Sequence, residues 1–137
     1  MKFIPKTDAK NLAFATMAIL LVVFASISVH AGSKTYTGSF KGDNGHVTTG
    51  NVTIKKEGGS MVVVLENNFS LDGAPAPTLG FSKGGKFDKA TEFSALKSNT
   101  GRQVYKLPAS IDVSRYDEFV VWCTDYSVSL GAAKLKH

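Results

Sequence analysis

The chain has 137 residues, 43% hydrophobic and 20% charged, with a formal net charge of +5. That is length for one domain, too short for a kinase or a TIM barrel and too apolar for a wholly disordered chain. Its one cysteine excludes a disulfide scaffold within the chain, and its three histidines leave little for a histidine-built metal or acid–base centre.

The first 31 residues read as an export signal. Lys2, Lys6 and Lys10 precede an uncharged run from Leu12 to Val29, and Val29-His30-Ala31 sets small residues two apart before Gly32. This is the order of n-region, apolar h-region and cleavage site. The alternative is a retained anchor, because the 18 residues of that run just span a bilayer. No cysteine follows the run, so a lipoprotein anchor is excluded. Either outcome places the remainder outside the cytoplasm, as a periplasmic or secreted domain, with membrane contact only through an uncleaved segment.

Residues 32–137 hold 13 basic and 10 acidic side chains, net +3. The basic residues are scattered and not interleaved with aromatics, so a nucleic-acid surface is not expected. In chain order the predicted elements are strands. Thr35 to Phe40 is β-rich, and Asp43-Asn44-Gly45 is a turn. Val47 to Ile54 reads as a strand interrupted at Gly50, with a bulge there. Lys55-Lys56-Glu57-Gly58-Gly59 connects it as a hairpin to the β-branched run Ser60 to Glu66. Leu71 to Pro77, with Gly73, Pro75 and Pro77, is a rigid loop. Leu79-Gly80-Phe81 and Gln103-Val104-Tyr105 are short strands, Phe119 to Cys123 is a strong one, and Tyr126 to Leu130 alternates apolar residues with serine. Only Asp88 to Ser98 carries a weak helical pattern. The expected fold is all-β: a β-sandwich-like domain of about seven to eight short strands, preceded by the hydrophobic signal helix.

Gly80-Phe81-Ser82-Lys83-Gly84 matches the G-x-S-x-G pattern, but Gly85-Lys86 cannot start the helix that a nucleophile elbow needs, and only the terminal His137 follows. No C-x-x-C, H-E-x-x-H or calcium-loop spacing occurs. Asn51-Val52-Thr53 and Asn68-Phe69-Ser70 are glycan acceptors only in a eukaryotic host. No conventional acid–base site is evident, so an enzyme is not the expected reading.

Cys123 is a lone thiol in a chain bound for an oxidising compartment. Period two puts Phe119, Val121 and Cys123 on one face and Val120, Trp122 and Thr124 on the other. Cys123 is either a small buried hydrophobe or a redox thiol or soft metal ligand, which needs a cation or metal to stabilise its thiolate. An exposed Cys123 would also permit an intermolecular disulfide. His46, after the turn, is either a loop histidine or a second ligand or proton partner for Cys123. Imidazole with thiolate suits haem iron or a transition metal.

Glu66-Asn67-Asn68-Phe69-Ser70-Leu71-Asp72-Gly73-Ala74-Pro75 is followed by Gly101-Arg102-Gln103-Val104-Tyr105-Lys106-Leu107-Pro108. Then come Ile111-Asp112-Val113, Tyr116, Val121-Trp122-Cys123 and Leu130-Gly131-Ala132-Ala133-Lys134-Leu135. In this order and spacing the set resembles the DM13 domain, over roughly residues 36–136. The resemblance implies an extracytoplasmic β-sandwich-like module with an electron-transfer or redox role. That role rests largely on the cysteine that Cys123 matches, and a histidine at the place of His46 is also common in the family. The family loop reads Gly-Pro-Asp-Leu with an optional alanine after the glycine. Here Gly73-Ala74-Pro75-Ala76-Pro77-Thr78-Leu79 puts Ala76 where an aspartate is expected, and Asp72 matches a different position.

The leading expectation is therefore an exported DM13-type binding or redox module. Cys123 is its redox or ligand group, His46 its partner, Trp122 and Tyr105 its packing or electron-relay aromatics, and Asp72, Gly73 and Pro75 its loop motif. Haem or a transition metal would be held by Cys123 and His46, and the partner would be a redox or envelope protein. The alternative is a structural or interaction domain of the envelope with Cys123 buried in its core.

Overall fold

The computed structural model describes residues 32–137, together with the single position Ser26. The signal segment, its cleavage site and its alternative as an anchor lie outside the described residues. Among the described residues no helix is long and apolar enough to cross a membrane.

The domain is antiparallel β throughout. Its strands are β1 Tyr36–Gly42, β2 Thr48–Thr49, β3 Asn51–Glu57, β4 Ser60–Leu65, β5 Ser70–Leu71 and β6 Pro77–Lys83. They continue as β7 Lys86–Asp88, β8 Ser94–Ala95, β9 Gln103–Lys106, β10 Glu118–Cys123 and β11 Val128–Lys134. Seven of these have four or more residues, in line with the seven or eight expected. The pairing order is β7-β6-β10-β11-β1-β3-β4-β9, with β8 also on β6 and β2 on β5.

The sheet curls on itself at β1. The first half of β1 pairs with β3, Tyr36 opposite Ile54, and its second half pairs with β11, Phe40 opposite Ala133. The inner faces of both halves then meet. Val52, Ile54, Val63 and Leu65 come from one half, and Leu79, Phe81, Phe119, Val121 and Leu130 from the other, all fully buried. The alternation read from Phe119 to Cys123 holds: Phe119, Val121 and Cys123 join this core. Aromatic pairs knit it together, with Phe119 within 5.3 Å of Phe81 and 6.1 Å of Phe40 between ring centres.

Glycine turns set the register. Gly58 and Gly59 (φ +58° and +83°) and Gly84 and Gly85 (φ +58° and +76°) each place two consecutive residues in the left-handed region. That is the geometry of the two-residue turn favoured in hairpins. The second turn joins β6 to β7, so Ser82 is a buried strand residue ahead of a hairpin and not a nucleophile elbow.

Two expectations need correction. Asp88 to Ser98 is not helical: a single 3₁₀ turn, Lys89–Thr91, is followed by β8. The amides of Phe93 and Leu96 donate to the carbonyls of Leu79 and Pro77 on β6, so these backbone groups serve a sheet. The strand placed at Tyr126 to Leu130 begins instead at Val128. Tyr126 is 71% exposed in the preceding turn, where Ser127 takes a positive φ. The break expected at Gly50 is present. There the chain leaves the β2–β5 ribbon and enters the main sheet.

Candidate functional site

Three connections meet at one end of the domain: residues 43–47 between β1 and β2, residues 72–76 between β5 and β6, and residues 124–127 between β10 and β11. The first is tied to β11 by the Asp43 amide on the Leu130 carbonyl at 3.1 Å and the Asn44 side chain on the Ser129 carbonyl at 2.8 Å. The second is tied to β10 and its turn, because the Thr124 amide donates to the Ala76 carbonyl.

Cys123 ends β10, opposite Pro77 on β6 and Val128 on β11. Its side chain is 1% exposed, and its Sγ donates to the Pro75 carbonyl at 3.2 Å. The thiol is free, and its burial argues against the intermolecular disulfide considered for an exposed cysteine. His46 follows a turn at Asn44 and Gly45, both at positive φ, closed by its own amide on the Asp43 carbonyl. Its Nδ1 lies 3.0 Å from Asp72 Oδ1, while Asp72 Oδ2 accepts from the Val47 amide at 3.0 Å. The Asp72 amide in turn donates to the Val47 carbonyl, extending the β2–β5 ribbon by one pair. The Val47 amide first, and then His46, hold the Asp72 carboxyl below the usual carboxylate range.

One loop thus carries both contacts. Asp72 takes the imidazole and Pro75 takes the thiol, with Gly73 between them at φ +107°. No hydrogen bond joins Cys123 to His46 among the described residues. Ala76, where the resemblance expects aspartate, sits at φ +46°. Aspartate and asparagine enter that region several-fold more readily than other non-glycine residues. Backbone conformation alone accounts for an aspartate at this position.

Cys123 and His46 do not form a joint metal centre of the zinc type. Metal centres of the zinc type take three or four protein ligands, and among the described residues no three His, Cys, Asp or Glu side chains converge. The thiol is engaged with a carbonyl, while the carboxylate of Asp72 meets the imidazole at Nδ1 only and orients it. The best-formed surface cavities are lined by neither Cys123 nor His46.

The two supporting aromatics lie apart. Trp122 points away from the core on the face opposite Cys123 and stacks on Phe87, with ring centres 4.1 Å apart and planes 8° from parallel. Gly80 makes room for this pair: a Cβ there would lie 2.6 Å from the Phe87 ring. Tyr105 is buried on β9 in the other half of the sheet. It receives the Lys97 amide on its hydroxyl at 2.9 Å and the Lys97 ammonium over its ring at 4.6 Å. Burial pushes its hydroxyl pKa up, partly offset by the Lys97 amide. Tyr105 also touches Phe93 edge-on, and Phe93 stacks on Phe81, so its route to the Cys123 sheet runs through core phenylalanines rather than through Trp122. The sequence reading singled out neither Thr91 nor Thr48. Both are buried threonines whose hydroxyls replace ladder hydrogen bonds, on the Phe81 amide and the Leu130 carbonyl.

A family model described as Electron transfer DM13 matches residues 39–135. Comparison with curated proteins and with solved structures finds no match.

Proposed function

Because the chain belongs to the DM13 family of electron-transfer domains, we propose that it is an exported redox module whose redox group is the Cys123 thiol, covered by the loop 72–76. The observation that carries this reading is the shared loop. The same five residues hold the Cys123 Sγ through Pro75 and the His46 imidazole through Asp72. A shift of that loop uncovers the thiol and releases the imidazole together. The chemistry is thiol–disulfide exchange with a partner protein. Cys123 Sγ attacks a partner disulfide, one new S–S bond forms as the partner's S–S bond breaks, and the departing partner sulfur takes the electron pair and the proton that Cys123 loses. Export is supported by the order of charged, apolar and small residues in positions 1–31.

A second reading has its own observation. Cys123 is 1% exposed and packs among core hydrophobes, as a structural cysteine does. The two separate on thiol reactivity. A redox thiol under a loop reacts with an aromatic disulfide reagent in the native protein, and faster in Pro75→Gly. A structural thiol reacts only as the domain unfolds, in both proteins alike.

A further inference from the structure

The end of the domain far from Cys123 is built differently. The β6–β7 hairpin and a 3₁₀ turn at Val113–Arg115 flank an open surface cavity of about 470 Å³, within the size range of small-ligand sites. Lys83, Lys86, Lys89 and Arg115 line it together with one carboxylate, Asp88, and Phe87 and Tyr116 are its apolar walls. Among the described residues, none of the four cations lies within 4.0 Å of a carboxylate. The nearby acids are turned to local partners. Asp88 accepts from the Ala90 amide and from the Tyr116 hydroxyl at 2.8 Å, which holds that hydroxyl in its neutral form. Asp112 accepts from Ser114, and Asp117 from the Gly84 amide.

Lys83 and Lys86 also sit directly opposite each other in the ladder, an arrangement of like charges that costs stability. Lysine on an edge strand guards against edge-to-edge pairing, which accounts for Lys86 on β7. It does not account for Lys89 and Arg115, which lie on two separate 3₁₀ turns. The Phe87 wall is fixed as well, since one face of its ring stacks on Trp122 and its Cε2–Cζ edge lies against Gly80.

We propose that this cavity binds an anionic saccharide, a sugar ring carrying carboxylate, sulfate or phosphate. The four cations meet the anionic group, and the aromatic walls meet the C–H faces of the ring. A flat bilayer surface favours cations on a protruding face, whereas these are drawn around a concavity. The geometry also keeps the two ends independent. Lys83 and Pro77 are the two ends of β6, about 20 Å apart at the usual ~3.3 Å per strand residue, and Pro77 is the residue paired with Cys123. The loops around the thiol carry Asp43, Asp72 and Asp125 and no lysine or arginine. An acidic polymer is therefore held at one end and repelled from the other.

The test uses the full chain recovered after export. Trp122 is its one tryptophan and stacks on a wall of the cavity, so its fluorescence reports occupancy. The probes are polygalacturonate oligomers and sulfated dextran oligomers, with neutral dextran, inorganic sulfate, oligothymidylate and phosphatidylglycerol vesicles as comparisons. The expected result is saturable binding of the acidic saccharides that weakens with salt. It weakens at least tenfold in Lys86→Glu/Lys89→Glu and again in Arg115→Gln, with urea midpoints no lower than the parent's, since Lys86→Glu relieves the repulsion with Lys83, and with unchanged Cys123 reactivity. Binding that survives in the double variant, or that is matched by neutral dextran, overturns the proposal. So does inorganic sulfate bound as tightly as the sulfated saccharide, and tighter binding of oligothymidylate or vesicles reassigns the surface to those polyanions.

Discussion

Replacing Gly50 by alanine tests how the site is positioned. Gly50 has φ +98°, and a Cβ on it would lie 2.4 Å from the Asn68 carbonyl oxygen and 2.5 Å from the Phe69 Cα. Both neighbours are backbone, so no rotamer change relieves the overlap. Gly58 is the matched control, at φ +58° with nothing within 4 Å of its Cβ position. A left-handed conformation costs an L-residue about 1–2 kcal/mol, and the lost chain entropy of the unfolded state returns roughly 0.4–1 kcal/mol. Gly58→Ala should therefore lose about 0.5–1 kcal/mol. Gly50→Ala adds an overpacking cost of about 1–3 kcal/mol, for a total of roughly 1.5–4 kcal/mol in a domain whose whole stability is of order 5–15 kcal/mol. At a urea slope of ~1.5 kcal/mol/M, that is a midpoint lowered by about 1–2.7 M. Urea unfolding followed by Trp122 fluorescence reads both variants. Because the backbone of 68–69 leads into β5 and Asp72, Gly50→Ala should also weaken the His46–Asp72 contact, visible as a changed His46 imidazole resonance. Equal midpoints for Gly50→Ala and Gly58→Ala would refute the reasoning, since they would show that the close approach of backbone at Gly50 carries no weight.

Substitutions at three further positions probe other contacts. Asp72 has a lowered pKa in the folded state, so its contribution is present above the ordinary carboxylate range and is lost as pH falls through the folded value. Acid titration of Asp72→Asn should lack that loss, and an acid-unfolding curve identical to the parent's would count against it. Thr91→Val keeps the shape but strips the Phe81 amide and the Asp88 carbonyl of a partner. It should cost about 2–4 kcal/mol, against ~1 kcal/mol or less for Thr91→Ser in the same urea assay. Ala76→Asn relieves a left-handed alanine and should raise stability by about 0.5–1 kcal/mol; a lowered melting temperature would contradict it.

Local chemistry made part of this architecture legible. The paired glycines at 58–59 require a tight turn, and Phe119 to Cys123 alternates in the only way that keeps Phe119 and Val121 inside. What was not legible depends on residues distant in sequence. β11 runs through Gly131-Ala132-Ala133, small residues with little strand preference. They are small because Thr48 sits against Gly131, and because the Gly38 position closes on Ala133 to 3.1 Å for an added Cβ. Phe93 and Leu96 mimic a helical spacing because both reach the core from either side of the two-residue strand β8, which pairs with β6. At the site, Cys123, His46, Asp72 and Pro75 each stood out in the sequence. That Asp72 takes the imidazole across 26 positions and Pro75 the thiol across 48 follows only from the way 72–76 lies over the end of the sheet. Trp122 parts from Cys123 because successive strand residues face opposite sides, and from Tyr105 because β10 and β9 lie in different halves of the sheet.

The central claim is that Cys123 is a redox thiol covered by a loop. Its most direct test is the rate at which a disulfide reagent labels Cys123 in the folded chain, measured beside Pro75→Gly and in urea below the unfolding transition. The account predicts labelling of the native protein that is independent of low urea and several-fold faster in Pro75→Gly. A thiol that stays inert in both until the domain unfolds would contradict it and leave Cys123 a core residue.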